Sequence, residues 1–135
     1  MERPAPTDRM MKAIALSSYD YPDNIELVQR PIPHPTENQV LLKVHATSIN
    51  DWDWSLVRGT PFYIRLLCGF LKPKVEIPGA EVAGVIKAVG DKVQKFKVGD
   101  RVYGDISESG FGGFAEYAAV PEHALAPMPD SMSYD

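Results

Sequence analysis

Few groups in this sequence have the type and spacing that chemistry needs. Gly110-Phe111-Gly112-Gly113-Phe114-Ala115 spells G-x-G-x-x-A, a pattern that brings backbone close to a pyrophosphate where a strand runs into a helix. Its context is wrong: Asp105 to Ser109 (DISES) is polar and turn-like, and the following FAEYAAV alternates as a strand, so a glycine-rich hairpin or loop is expected. Gly79 to Gly84 has Val85 where a P-loop requires lysine. His34, His45 and His123 lie far apart with no thiol or carboxylate at ligand spacing, which assigns them structural or surface roles. Ser48 and Ser55 lack both a nucleophile-elbow motif and a triad signature. Cys68, between Leu67 and Gly69, reads as a buried, inert thiol. Asp51, Asp53 and Glu81 adjoin strongly apolar blocks, and burial with hydrogen-bonded partners is expected for Asp53 and Glu81. Trp52 and Trp54 could wall a pocket for a flat ligand or serve as core or interface aromatics.

The elements that would position these groups are mostly strands. Short apolar runs recur at Lys12–Leu16, Ile25–Gln29, Val40–Ala46, Val82–Val89, Arg101–Tyr103 and Phe114–Val120, with prolines such as Pro31, Pro33, Pro35, Pro73, Pro78 and Pro121 outside them, where a missing amide hydrogen costs least. VLLKV and VAGVIKAV are dense enough to predict burial on most sides. Asn50 to Arg58 carries Asp51 and Asp53 in its first turn and Gly59 after its last, which predicts a short helix. Phe62 to Leu71, interrupted by Gly69 and stopped by Pro73, is a helix or a covering loop. A mainly β fold, barrel or sandwich, follows.

Composition bounds the rest. At 135 residues with 44% hydrophobic side chains, the chain suits one domain, read as residues 11–135 behind a flexible extension at 1–10. The net charge of −4, with 14 basic residues spread along the chain instead of clustered, gives no electrostatic footprint for nucleic acid or an anionic membrane. One cysteine and no signal-like or membrane-spanning run point to a reducing, cytoplasmic setting.

Four segments in order, MKAIAL at Met11–Leu16, ATSINDWDWSLVRG at Ala46–Gly59, IPGAEVAGVIKAVGDKVQKFKVGDRVYG at Ile77–Gly104 and GGFAEYAAVP at Gly112–Pro121, resemble the medium-chain dehydrogenase/reductase superfamily. Within it the chain is most similar to zinc-independent, quinone oxidoreductase-like members. The resemblance implies a GroES-like fold, a partly open β barrel with a few short helices, without the Rossmann domain that holds the cofactor diphosphate. In zinc-dependent relatives a C-x-x-D thiolate, a G-H-E histidine and a relay hydroxyl match Asn50, Ala80 and Trp52 here. Lacking thiolate and imidazole, the chain is expected to hold no zinc or other metal. Some members have a tyrosine two residues after the aspartate, where this chain has Ser55.

The resemblance further implies a full-length NADP(H)-dependent reductase of quinones or electron-poor C=C or carbonyl bonds. Asn50 would be the catalytic and cofactor-binding residue; Trp52, Trp54, Phe62, Tyr63 and Leu67 would wall the substrate pocket; Asp53 and Glu81 would be structural near the cleft. The implied partner is a small-molecule quinone or enone, with neither nucleic acid nor membrane, and a homodimer is a candidate assembly. These residues alone would bind no cofactor and lack turnover. The alternative is a stand-alone GroES-like interaction module; co-chaperonin function rests on fold analogy only.

Overall fold

The structure, a computed structural model, describes residues 9–19 and 22–135. The expected flexible extension falls mainly on residues 1–8, which lie outside the described residues. Among the described residues, Arg9 is already tied into the fold, its carbonyl accepting from Ile32 N at 3.0 Å.

Two antiparallel ladders carry the fold. Strands β1 (Met10–Leu16) and β2 (Ile25–Pro31) pair from Met10↔Pro31 to Leu16↔Ile25. A five-stranded sheet comprises β3 (Gln39–Ser48), β4 (Glu81–Val89), β5 (Arg101–Asp105), β6 (Tyr117–Pro121) and β7 (Ala126–Pro127), in the order β6-β3-β4-β5-β7. With a few short helices and, among the described residues, no closed barrel, this is the mainly β, partly open architecture expected.

The expected burial of β3 and β4 on most sides needs correction. Val40, Leu42, Val82 and Ile86 are buried, whereas Lys43 and Lys87 are exposed and Leu41 and Val85 are half-buried. Side chains alternate across a strand, so one face packs with Phe96, Val102, Ile106, Val120 and Leu125 into the core while the other meets solvent. Leu42→Ala should therefore cost about 3 kcal/mol, combining lost transfer energy with a cavity that the surrounding strands cannot fill. A shift in urea midpoint at unchanged m-value checks this.

Helix α1 (Asp51–Arg58) starts at Asn50 and ends at Gly59, whose φ of 62° closes the C-cap, its N–H donating to Ser55 O. Its inner face, Leu56 and Val57, packs on Leu16 with Ile25, Cys68 and Phe111 around them. Helix α2 (Tyr63–Cys68) occupies only the front of the 62–71 segment. Gly69 turns the chain at φ 117°, and Lys74 N donates to Cys68 O, so the remainder is a loop.

The run expected as a strand from Phe114 pairs in β6 only from Tyr117. Upstream, Phe114 N donates to Pro78 O and Phe114 O accepts from Ile14 N, while Ala115 forms a single bridge to Ala13. Those bonds tie the segment to β1 and to the Pro78–Gly79 turn. Gly110 to Ala115 crosses as an irregular loop, as its context predicted.

Candidate active site

The site is built outward from one carboxylate. Asp53 is 2% exposed, and its two oxygens accept three backbone N–H groups. Oδ1 takes Gly79 N at 3.1 Å and Ala80 N at 3.0 Å, while Oδ2 takes Asn50 N at 3.1 Å. In return Asn50 Oδ1 accepts from Trp52 N at 3.0 Å and Asp53 N at 3.4 Å. This is a capping box, in which orphan amides at a helix start are satisfied reciprocally. Unlike an isolated cap, it also fastens α1 to the turn leading into β4. Gly79 makes that turn possible: at φ 106° a Cβ there would lie 2.5 Å from Phe114 N.

The box fixes the rotamer of Asn50. Its oxygen is committed to the cap, while its Nδ2 takes no protein acceptor among the described residues and the side chain is half-buried. A neutral donor is thus held at the end of β3 without freedom to turn. Ala80, beside it, is completely buried and contributes only backbone, its N–H to Asp53 and its carbonyl to Ile106 N at 2.6 Å.

Beyond Asn50 lies a polar rim. Ser48 pairs with Glu81 across β3–β4, and Glu81 with Asp105 across β4–β5. The Ser48 hydroxyl donates to Glu81 Oε2, and Thr47 Oγ1 donates to the Glu81 carbonyl at 2.6 Å. Glu81 is hydrogen-bonded as expected, but it is exposed and not buried. As the first residue of β4, it points off the sheet end instead of into the core. Ser48, Glu81, Tyr103, Asp105, Met128 and Tyr134 line a groove of about 480 Å³. Its outer wall is held by Tyr134, stacked on His45 at 4.8 Å and lying under the Arg101 guanidinium at 4.8 Å.

Reading the sequence alone gave no role to Ser48, Tyr103 or Tyr134 here, because their approach depends on strand register and on contacts far apart in the chain. The five expected pocket residues lie elsewhere from that groove. Trp52 and Trp54 project from α1 at 46% and 48% exposure, with the Arg58 guanidinium 5.2 Å over the Trp54 ring. Phe62, Tyr63 and Leu67 are exposed on α2 and its approach. The two tryptophans flank the helix start that Asn50 caps, while the other three form a separate apolar strip.

Cys68, the last residue of α2, is half-buried, not buried as expected, and packs at the edge of the Leu16–Leu56–Val57 cluster. Burial pushes its thiol pKa up, and burial likewise raises that of Tyr19, with the Cys68 thiolate adding to the effect. Since the thiolate is the reactive form, Cys68 should alkylate several-fold more slowly than a free cysteine at neutral pH. Timed mass spectra with iodoacetamide measure this, and a rate matching or exceeding free cysteine would contradict it.

As a unit, the site offers a fixed amide donor, a hydroxyl paired with an exposed carboxylate, and aromatic faces. It suits orienting a flat polar ring and donating to an oxygen. No group of three or more His, Cys, Asp or Glu side chains suited to a metal occurs among the described residues.

The alcohol dehydrogenase GroES-like domain family matches residues 36–130. Quinone oxidoreductases from Lama guanicoe and Homo sapiens are 38% and 36% identical over 93% of this chain. Among solved structures, the quinone oxidoreductase of Coxiella burnetii superposes with a TM-score of 0.81 at 28% identity, covering 93% of this chain and 39% of that one. That of Pseudomonas syringae pv. Tomato DC3000 gives 0.74 at 32% identity, covering 92% and 35%. The chain spans only 36% of the length of the Lama and human relatives. By fold, motif order and these matches, the chain belongs to the alcohol dehydrogenase GroES-like domain family, within the quinone oxidoreductase-like medium-chain dehydrogenases/reductases.

Proposed function

We propose that this domain is the catalytic half of a zinc-independent, NADP(H)-dependent reductase acting on quinones or on electron-poor C=C or carbonyl bonds. The observation that carries the reading is the Asn50 amide, locked by its cap yet left with a free donor. The residues present fit the nicotinamide end of the cofactor: a carboxamide or carbonyl oxygen can accept from Asn50 Nδ2, and Trp52 and Trp54 offer flat apolar faces beside it. They do not provide a diphosphate cradle, since the loop at Gly110–Ala115 leads into a strand.

When bound, NADPH supplies the hydride. The protein's part is to orient and to stabilise: Asn50 donates to the oxygen on which charge develops, an interaction that strengthens as negative charge grows. Asp53 holds Asn50 in place and Glu81 orders the rim through Ser48. Phe62, Tyr63 and Leu67, on the separate apolar strip of α2, are proposed as an outer wall for the substrate. With an amide at Asn50 and a methyl at Ala80 in the places where zinc-dependent relatives have ligands, the carbonyl is polarised by hydrogen bonding alone.

The small share of its relatives' length that the domain covers supports a partner Rossmann domain. The intact mass of the natural gene product, captured from its source cells, tests this. About 300 residues or more, two typical domains, is the expected result, and residues 1–135 expressed alone should neither bind NADPH nor turn over. A natural product ending at Asp135, or tight NADPH binding by these residues alone, overturns the proposal.

A further inference from the structure

Helix α2 has few fixings of its own. It is six residues long, and Phe62 before it supplies no side-chain cap. Among the described residues, segment 60–74 makes one side-chain hydrogen bond, from Arg65 Nε to Gly59 O at 3.1 Å. The same guanidinium lies 4.9 Å from the centre of the Tyr19 ring. Both partners suit a cation. Gly59 ends α1, so its carbonyl stands at the negative pole of that helix, and Tyr19, 3% exposed, offers a desolvated aromatic face. A glycine lets the three meet: a Cβ at Gly59 would lie 2.6 Å from the Tyr19 ring and 2.8 Å from Arg65 Nε. Asn50 caps the opposite end of α1, whose eight residues separate the two ends by about 12 Å. Helix α1 is therefore a spacer between the amide donor and the point where α2 is pinned.

We propose that Arg65 is a positioning residue for the substrate wall. It clamps α2 onto the C-terminal end of α1, which holds Phe62, Tyr63 and Leu67 at a set distance from Asn50. The inference rests on the reductase reading, in which those three side chains wall the acceptor. Ile64 and Cys68 seat α2 by apolar contact, but such contact is non-directional and leaves a short helix free to slide or rotate. The hydrogen bond and the cation–π contact are directional, so Arg65 fixes what the apolar seat leaves open. Its guanidinium is half-buried and committed to Gly59 and Tyr19; it acts through α2 and not on the acceptor.

Steady-state kinetics and amide hydrogen exchange on the natural gene product test it. Arg65→Met keeps an unbranched side chain but removes both interactions. KM for a quinone acceptor should rise about 10-fold, while kcat and KM for NADPH change by less than about 2-fold. Arg65→Lys, whose ammonium can still reach a carbonyl and an aromatic face, should recover most of that loss. Tyr19→Leu, which removes the ring beneath the guanidinium, should shift the acceptor KM in the same direction. In Arg65→Met the amides of 62–74 should exchange faster, with those of β3 and β4 at wild-type rates. An unchanged acceptor KM, no recovery in Arg65→Lys, or faster exchange throughout the domain overturns the proposal, the last by making Arg65 a general stabiliser. A wild-type protein without acceptor-dependent turnover instead removes the reductase reading, and the wall with it.

Discussion

Asp53→Ala is expected to destabilise the domain by about 3–5 kcal/mol, enough to leave much of it unfolded given the roughly 5–15 kcal/mol that holds typical domains together. The substitution removes one side chain but strands three backbone donors, those of Asn50, Gly79 and Ala80. Because Asp53 is 2% exposed, water does not replace the carboxylate without rearrangement, and each buried donor left unpaired costs about 1–3 kcal/mol. The effects overlap, since one movement of the β4 turn would relieve two of them. Asp53→Asn should fall between, at about 1–2 kcal/mol: its single oxygen can still serve Gly79 and Ala80, but its NH₂ then faces the Asn50 N–H. Urea unfolding of the three proteins ranks them. A loss below about 1 kcal/mol for the alanine variant would mean that the turn is held by something other than this carboxylate.

Asn50→Asp separates the cap from the chemistry. Aspartate caps a helix about as well as asparagine, and a negative charge at a helix start is favoured, so stability should change by less than about 1 kcal/mol. The Nδ2 donor, however, is gone. Removing one preorganised donor from a developing oxyanion costs about 100-fold or more in turnover, and a loss of that size is expected in the quinone-reducing activity of the natural gene product. Asn50→Ser, which also caps but cannot extend an amide into the cleft, should lose activity comparably without adding charge. Retained turnover in both variants, with stability intact, would confine Asn50 to the cap.

The helix and strand pattern was legible in local terms. Asp51 and Asp53 in a first turn with Gly59 behind the last announce α1, and β-branched runs announce β3 and β4. Burial was legible on one face only: Lys43 and Lys87 mark the open side of runs whose apolar density suggested burial on most sides. The role of Asp53 was half legible. Its place at a helix start is a local signal, but its partners at Gly79 and Ala80 are 26 and 27 residues away, and no local pattern brings them together. Glu81 shows the converse: its apolar neighbours suggested burial, yet its position at a strand end leaves it at the rim. The groove at Ser48, Tyr103 and Tyr134 depends on sheet register and on a tail that docks through Arg101, neither of which has a sequence motif. The Asn50 role came from resemblance to a family, and the structure adds what resemblance could not, the bonds that leave its amide free.

The most direct measurement is quinone-dependent NADPH oxidation by the natural gene product, run with and without a zinc chelator. The account predicts turnover that needs a quinone or enone acceptor, persists in the chelator and falls about 100-fold in Asn50→Asp. Absence of acceptor-dependent oxidation, or activity abolished by the chelator, would contradict it.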